Sequence, residues 1–213
     1  MTIDLENQRN EYRKTSLLEK KIPGNPFRLL SEWLNYALDN HVPESGAMVL
    51  STVGNNGNPS SRVVLLKSFE DEKLFFYTNY DSRKAQEIIN NHAVSALFFW
   101  PELERQIRIE GKAYKSSSEK SDEYFSKRPR DSQIGAWASP QSSVISDMNE
   151  IKTKIFALKA RYKNKDIPRP QNWGGFYISP ERIEFWQGKP ARLNDRIAYY
   201  LENKNWKRVR LAP

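Results

Sequence analysis

The chain has 213 residues, 34 basic against 26 acidic, a net charge of +8 of which residues 161–213 carry +7, with no Cys and two His. That length is ample for a hydrophobic core. The absence of Cys excludes disulfides, thiolate nucleophiles, iron–sulfur ligation and cysteine zinc sites, and two histidines leave almost no material for a triad or a metal centre.

From Asn25 the chain reads N-P-F-R-L-L-S-E-W-L-N-Y-A-L. Asn25 fits an N-cap and Pro26 the first helical position, and Phe27, Leu30, Leu34, Ala37 and Leu38 form one apolar stripe, so an amphipathic helix is predicted. Residues 47–53 and 62–67 read as strands joined by a loop containing Asn56-Gly57. The run Val63-Val64-Leu65-Leu66, apolar on both faces, suggests that the second is buried. Residues 74–78, 94–100 and 106–115 continue the β series. A helix over 83–90 interrupts it, with Asp81 or Ser82 as cap.

Further on, 118–126 reads as a short helix, 128–137 as a polar loop, and 147–164 as a long helix with Ile151, Ile155, Leu158 and Tyr162 on one face. Pro168-Arg169-Pro170 ends it. Strands are predicted over 173–178, 182–186, 197–201 and 206–211, the last two joined by a turn at 202–205. Many short strands with few long crossovers predict a mainly β protein with helices (α+β), a mostly antiparallel barrel in one domain. No G-x-G-x-x-G or P-loop is present, and no apolar run approaches the roughly 18 residues of a membrane span, so the expectation is a soluble cytoplasmic protein.

Four clusters could carry chemistry. Arg62 and Lys67 bracket the apolar run; they could snorkel to solvent or hold an anion, but their opposite parity in a regular strand keeps them from sharing one ligand without a bulge or a strand end. Asp81-Ser82-Arg83-Lys84 offers a hydroxyl, helix N-terminal amides and two cations, which suit a phosphate; an ordinary capped helix with solvated charges fits the same residues. Tyr124, Arg128 and Ser132 fall within nine residues. Phe185-Trp186 runs directly into Arg192 and Arg196.

These segments are similar to one family. R62-V-V-L-L-K67, Y77-T78-N79-Y80-D81-S82-R83-K84, E104-R105-Q106, Y124-x3-R128-P-R-D-S132-Q-I-G-A-W137, Q141-S142-S143, W173-G-G-F176, W186-Q-G, R192-L-x-D-R196 and the terminal R-L-A-P resemble pyridoxine/pyridoxamine 5′-phosphate oxidase, in family order from Arg9 to Pro213. The resemblance implies a homodimeric split β-barrel over 21–213, with FMN at the subunit interface and residues 1–20 as a segment closing over the site. It implies FMN contacts by Arg62, Lys67, Tyr77, Thr78, Ser82, Arg83, Lys84, Gln106, Gln141, Ser142, Trp186 and Arg196. Lys67, Tyr124, Arg128 and Ser132 would hold the phosphate of a B6 vitamer, with Arg192 and Asn194 over its ring and Arg9 and Tyr12 in the closing segment. The implied partners are that vitamer and O₂, with no metal, nucleic acid or membrane.

One departure stands out. The family pattern R-x-H-D-R has Asn194 in place of histidine, and Asn cannot titrate near neutral pH. Two other readings stay open: a split-barrel flavin oxidase of the phenazine type, for which Asn194 speaks, and a basic, aromatic-rich barrel for single-stranded nucleic acid, for which the net charge speaks. Lys204, Lys207, Arg208 and Arg210 are expected to be solvated strand-face charges.

Overall fold

The computed structural model describes residues 11–17, 20 and 22–213. The described residues form nine strands and five α-helices, in chain order α1 (Pro26–Asp39), β1 (Ala47–Val53), β2 (Pro59–Leu65), β3 (Ser68–Glu70), β4 (Lys73–Asn79), α2 (Arg83–Asn90), β5 (Ala93–Trp100), β6 (Arg105–Lys115), α3 (Ser118–Ser126), α4 (Arg130–Ala138), α5 (Met148–Arg161), β7 (Trp173–Gln187), β8 (Asp195–Glu202) and β9 (Asn205–Leu211). The strands pair in the order β2-β1-β5-β6-β7-β4-β3, and β8 joins β7 to β9. The β3–β4, β4–β7, β7–β8 and β8–β9 ladders are all antiparallel. No described helix is long and apolar enough to cross a membrane.

Two compact units divide the chain. The first comprises the described residues up to Val49, with Ser95–Glu110 and Pro180–Pro213; the second comprises Leu50–Val94 and Gly111–Ser179.

In the first unit, α1 starts as predicted: the Asn25 side chain accepts the Phe27 N–H at 2.7 Å, and Pro26 needs no donor of its own. Phe27, Leu30, Trp33, Leu34 and Ala37 are buried, whereas Leu38, expected on the stripe, is 59% exposed. It lies beyond the i, i+3, i+4, i+7 face set by Leu30. Trp33 meets Phe185 edge-on at 5.3 Å, and Phe185 meets Tyr199 likewise. The β8–β9 turn has Asn203 and Lys204 at φ 49° and 65°, the left-handed pair of a tight hairpin. Lys204, Lys207, Arg208 and Arg210 are all exposed, as expected, but two of them also act as fasteners. Arg208 donates to the Ile22 carbonyl, while Arg210 donates to the Leu17 carbonyl at 3.1 Å and pairs with Asp195 at 2.7 Å. Alternation on β9 did not reveal this, because the segment they hold is distant in sequence.

In the second unit, the expected buried strand at 62–67 is different. β2 spans Pro59–Leu65 and stands at the end of the strand path, leaving Val63 64% exposed and Leu65 41% exposed. Lys67 lies past its end, with its N–H bonded to the Phe75 carbonyl at 2.8 Å, so the parity conflict with Arg62 does not arise. α2 begins at Arg83 as predicted, but neither expected side chain caps it; Ser82 Oγ donates instead to the Asn79 carbonyl at 2.7 Å. The expected loop at 128–137 is mostly helix. Polar residues hid α4, whose Ile134 joins Phe125, Tyr162, Ile167 and Trp173 in a buried cluster that Ile155 and Leu158 of α5 pack against.

The two strands predicted at 173–178 and 182–186 are one. β7 pairs Trp173 through Ile178 with β4, and Arg182 through Gln187 with β8. Pro180 sits between these two ladders and interrupts neither.

Candidate functional site

A cavity of about 380 Å³ opens in the second unit. Tyr77 and Thr78 reach it from the end of β4, Lys84 from the first turn of α2, Tyr124 from α3, Ser132 from α4, and Trp173 from the start of β7; Lys67, Arg128 and Gln141 come from the connections. Pro129 after Arg128 ends α3 and leads into α4. Tyr124, Arg128 and Ser132, four apart, all line the cavity although α3, the connection and α4 each supply one of them.

The cavity has an aromatic wall. The Tyr77 ring stacks on Tyr124 at 3.9 Å and on Trp173 at 5.7 Å, and Tyr124 and Trp173 lie within 6° of parallel. The glycine pair after Trp173 permits this: a Cβ on Gly175 would stand 2.9 Å from the Tyr77 ring. Burial pushes the Tyr77 hydroxyl up to about 12, with the neighbouring Tyr124 adding to it. Burial also raises Tyr124, against the opposing charge of Arg128. Both phenols therefore stay protonated and can donate at neutral pH.

The cavity's cations have an unusual environment. Lys84 donates to Thr78 Oγ1 at 3.1 Å and to Ser82 Oγ at 3.3 Å, and burial, then the charge of Arg62, lowers its pKa. Gln141 Oε1 accepts from Thr78 Oγ1 at 3.0 Å, tying the loop after α4 to β4. The Arg128 guanidinium lies 4.4 Å over the Trp173 ring. Its Nη1 is buried without a hydrogen-bond partner, and burial lowers its pKa with only Tyr124 opposing. A buried donor left unmade costs on the order of 1–3 kcal/mol. An anion accepting from Arg128 would remove that cost.

Arg62 and Arg83 do not line the cavity. They converge on Glu87, 7% exposed: Arg83 Nε reaches Oε1 at 2.8 Å, and Arg62 Nη2 lies 3.4 Å from Oε2. Arg62 also bonds Thr52 Oγ1 at 2.6 Å and the Leu50 carbonyl at 3.2 Å. Burial alone would raise the Glu87 carboxyl; hydrogen bonds from Thr52, Ser60 and Arg83 outweigh it and hold the group at about 2. Ser142, beside Gln141, is exposed with φ 73°.

The remaining site candidates belong to the first unit, except Arg9, which lies outside the described residues. Gln106 is on β6 and half-buried. Tyr12 packs edge-on to Trp186 at 5.6 Å, over Gly188, where a Cβ would stand 2.5 Å from the Tyr12 ring. Glu104 holds the same segment by accepting the N–H groups of Arg13 and Lys14, both at 2.9 Å. Arg196 pairs with Glu184 at 2.9 Å and donates to the Ala212 carbonyl at 3.0 Å. Arg192 sits at φ 61° in a short loop that Asn194 closes by accepting the Lys189 N–H at 3.0 Å.

The family model described as pyridoxamine 5′-phosphate oxidase matches residues 34–162. The chain belongs to the pyridoxamine 5′-phosphate oxidase family. The model of a pyridoxine 5′-phosphate oxidase C-terminal dimerisation region matches residues 173–213. Over 211 residues the chain is 49% identical to the pyridoxine/pyridoxamine 5′-phosphate oxidase of Mannheimia succiniciproducens, covering 99% of this chain and 100% of the relative. The crystal structure of PhzG from Burkholderia lata, in complex with tetrahydrophenazine-1-carboxylic acid, superposes with a TM-score of 0.88 at 30% identity, covering 92% of this chain and 98% of that one. A pyridoxamine 5′-phosphate oxidase-related, FMN binding protein of Nostoc punctiforme shares the fold, with a TM-score of 0.72 at 18% identity over 90% of this chain and 100% of its own.

The family motif residues thus divide between the units: the Tyr124–Ser132 and Lys84 groups meet at one cavity, and the Trp186–Arg196 group lies in the first unit. Three residues were missed in the sequence. Trp173 was read only as part of a W-G-G motif, although the paired glycines signal a close approach. Glu87 stands four residues after Arg83, a helical ion-pair spacing. Glu184 alternates with Phe185 on a strand, where a carboxylate 1% exposed has no local signature.

Proposed function

We propose that this protein is an FMN-dependent oxidase that converts pyridoxamine 5′-phosphate or pyridoxine 5′-phosphate to pyridoxal 5′-phosphate, reducing O₂ to hydrogen peroxide, in vitamin B6 biosynthesis and salvage. The observation that carries this reading is the partnerless Arg128 Nη1 in a cavity walled by three stacked rings. A flat aromatic substrate bearing a phosphate matches both features.

The residues fit two phosphates. Arg128, Tyr124, Ser132 and Lys67 would hold that of the substrate, the phenol and the hydroxyl donating beside the two cations. Lys84, Thr78, Ser82, Gln141 and Ser142 would hold FMN, with Arg62, Arg83, Tyr77, Lys67, Gln106, Trp186 and Arg196. An anion near Lys84 would reverse the penalty that burial imposes on its charge. The chemistry that FMN would supply when bound is the two-electron oxidation of the substrate at C4′ with O₂ as final acceptor. The chain's own part is to fix both rings in register and keep water out. Arg192 and Asn194 would lie over the substrate ring, and residues 1–20, with Arg9 and Tyr12, would close over it.

We read residues 21–213 as one split-barrel domain in a cytoplasmic homodimer with two FMN molecules. The match to a dimerisation region and the exposed Val63 and Leu65 on β2 support the dimer.

The test is anaerobic. The flavin absorbance of the yellow holoprotein should bleach on addition of pyridoxine 5′-phosphate or pyridoxamine 5′-phosphate and recover in air; no bleaching with either would overturn the reading. Asn194 and the PhzG likeness favour a second reading, a phenazine-type oxidase, so tetrahydrophenazine-1-carboxylic acid belongs in the same assay as a third arm.

A further inference from the structure

An arginine that must grip a phosphate needs to be held still without giving its donors away. A carboxylate would hold it, but would also compete with the phosphate for the same N–H groups. An aromatic face holds a cation and accepts none of them in the guanidinium plane. Arg128 is in the second situation. Its guanidinium lies 4.4 Å from the Trp173 centroid, and its Nη1 is buried and unpaired.

Trp173 itself is fixed on every side. It is 6% exposed, its N–H donates to the Pro170 carbonyl at 3.1 Å, and its own carbonyl accepts from Arg169 Nη1 at 2.7 Å. Phe125 packs edge-on against it at 5.1 Å. We infer that Trp173 is a positioning residue for phosphate recognition: its indole face sets the plane of the Arg128 guanidinium and leaves the donors directed at the ligand. The inference rests on the cavity's being a phosphate subsite, as proposed above, and adds the residue that orients its central cation.

The experiment uses FMN-loaded protein and inorganic phosphate as the probe. Binding is read both as inhibition of vitamer oxidation and as the thermal shift on phosphate titration. Trp173→Leu should raise the phosphate inhibition constant and the KM for pyridoxine 5′-phosphate together, by roughly three- to thirtyfold, with kcat falling by less and FMN affinity unchanged. Trp173→Phe, which keeps a π face, should recover most of the loss. Because Trp173 is also core, the leucine variant could fail to fold. Site-specific replacement of Trp173 by fluorinated tryptophans covers that case, since they keep shape and packing while draining charge from the ring face. Phosphate affinity should fall stepwise with fluorine number. Unchanged phosphate affinity across the fluorinated series, or in a folded leucine variant, would reduce Trp173 to a packing residue and overturn the inference. If the wild-type protein oxidises neither vitamer but its phosphate titration still follows the fluorine series, the substrate reading fails and the role of Trp173 stands.

Discussion

Two groups of arginines in the second unit behave in opposite ways. Arg62 and Arg83 converge on the buried Glu87, and Arg62 has hydroxyl and carbonyl partners besides. Arg128 lies over the Phe125 and Trp173 rings and, among the described residues, keeps a buried donor unmade. The first group has its partners within the fold; Arg128 has a buried donor for which the described residues supply none. Arginine content cannot separate the two, since what distinguishes them is whether a carboxylate lies within reach in the folded chain: Glu87 is on the same helix as Arg83 and is brought to Arg62 from α2. In the first unit Arg196, paired with Glu184, belongs with the satisfied group.

The contrast can be broken most directly at Arg128. Arg128→Ala removes charge-assisted hydrogen bonds worth roughly 1.5–3 kcal/mol each, so steady-state kinetics should show KM for the phosphorylated substrate rising about a hundredfold. The thermal midpoint should hold or rise, because a buried unsatisfied donor has been removed. A clear drop in stability would mean that Arg128 is a structural cation like Arg62.

Glu87→Ala is the reciprocal test. It leaves Arg62 without its counter-charge and should cost roughly 3 kcal/mol in denaturant unfolding. The acid dependence sharpens it. Glu87 is held at about 2, below the usual glutamate value, so its contribution is fully present above the unfolded pKa near 4.5 and is lost as pH falls from there toward 2. Glu184, lowered by hydrogen bonds from Arg196 and Arg182 against the cost of its burial, acts with the same sign. Glu87→Gln should flatten the stability profile below pH 4.5 and leave it unaltered between pH 6 and 8; a profile as steep as that of the wild type would remove Glu87 from the account.

The smallest expected effect is at Asn194, which closes the Arg192 loop through the Lys189 N–H and has no proton to exchange. Asn194→His should add a limb near pH 6.5 to the pH–rate profile, with less than a tenfold change at the optimum. Superimposable profiles would make the departure from the family pattern functionally silent.

How much of this was legible in the sequence varied by element. Local signals placed α1, α2 and α3 closely, because the Asn25-Pro26 start and the 83–90 and 118–126 patterns are read from residues within a few turns of chain. α4 was read as a loop because Arg130 to Gln133 look solvated; its buried face exists only once α3, α5 and Trp173 surround Ile134. β7 was read as two strands, 173–178 and 182–186, because nothing local says that one continuous strand pairs its two halves with different partners.

The sequence by itself determined the composition limits and, from neighbours a few positions apart, most elements and the residue types of the clusters around Lys84 and Arg128. Its excess positive charge misdirected attention to the tail, where Arg208 and Arg210 fasten the N-terminal segment. Only the tertiary structure decided which cations are already paired. Pairing depends largely on groups of other elements, as when Arg62 meets Glu87 of α2 or Arg128 meets the Trp173 ring, and whether a buried charge is neutralised by the protein is settled when those elements pack.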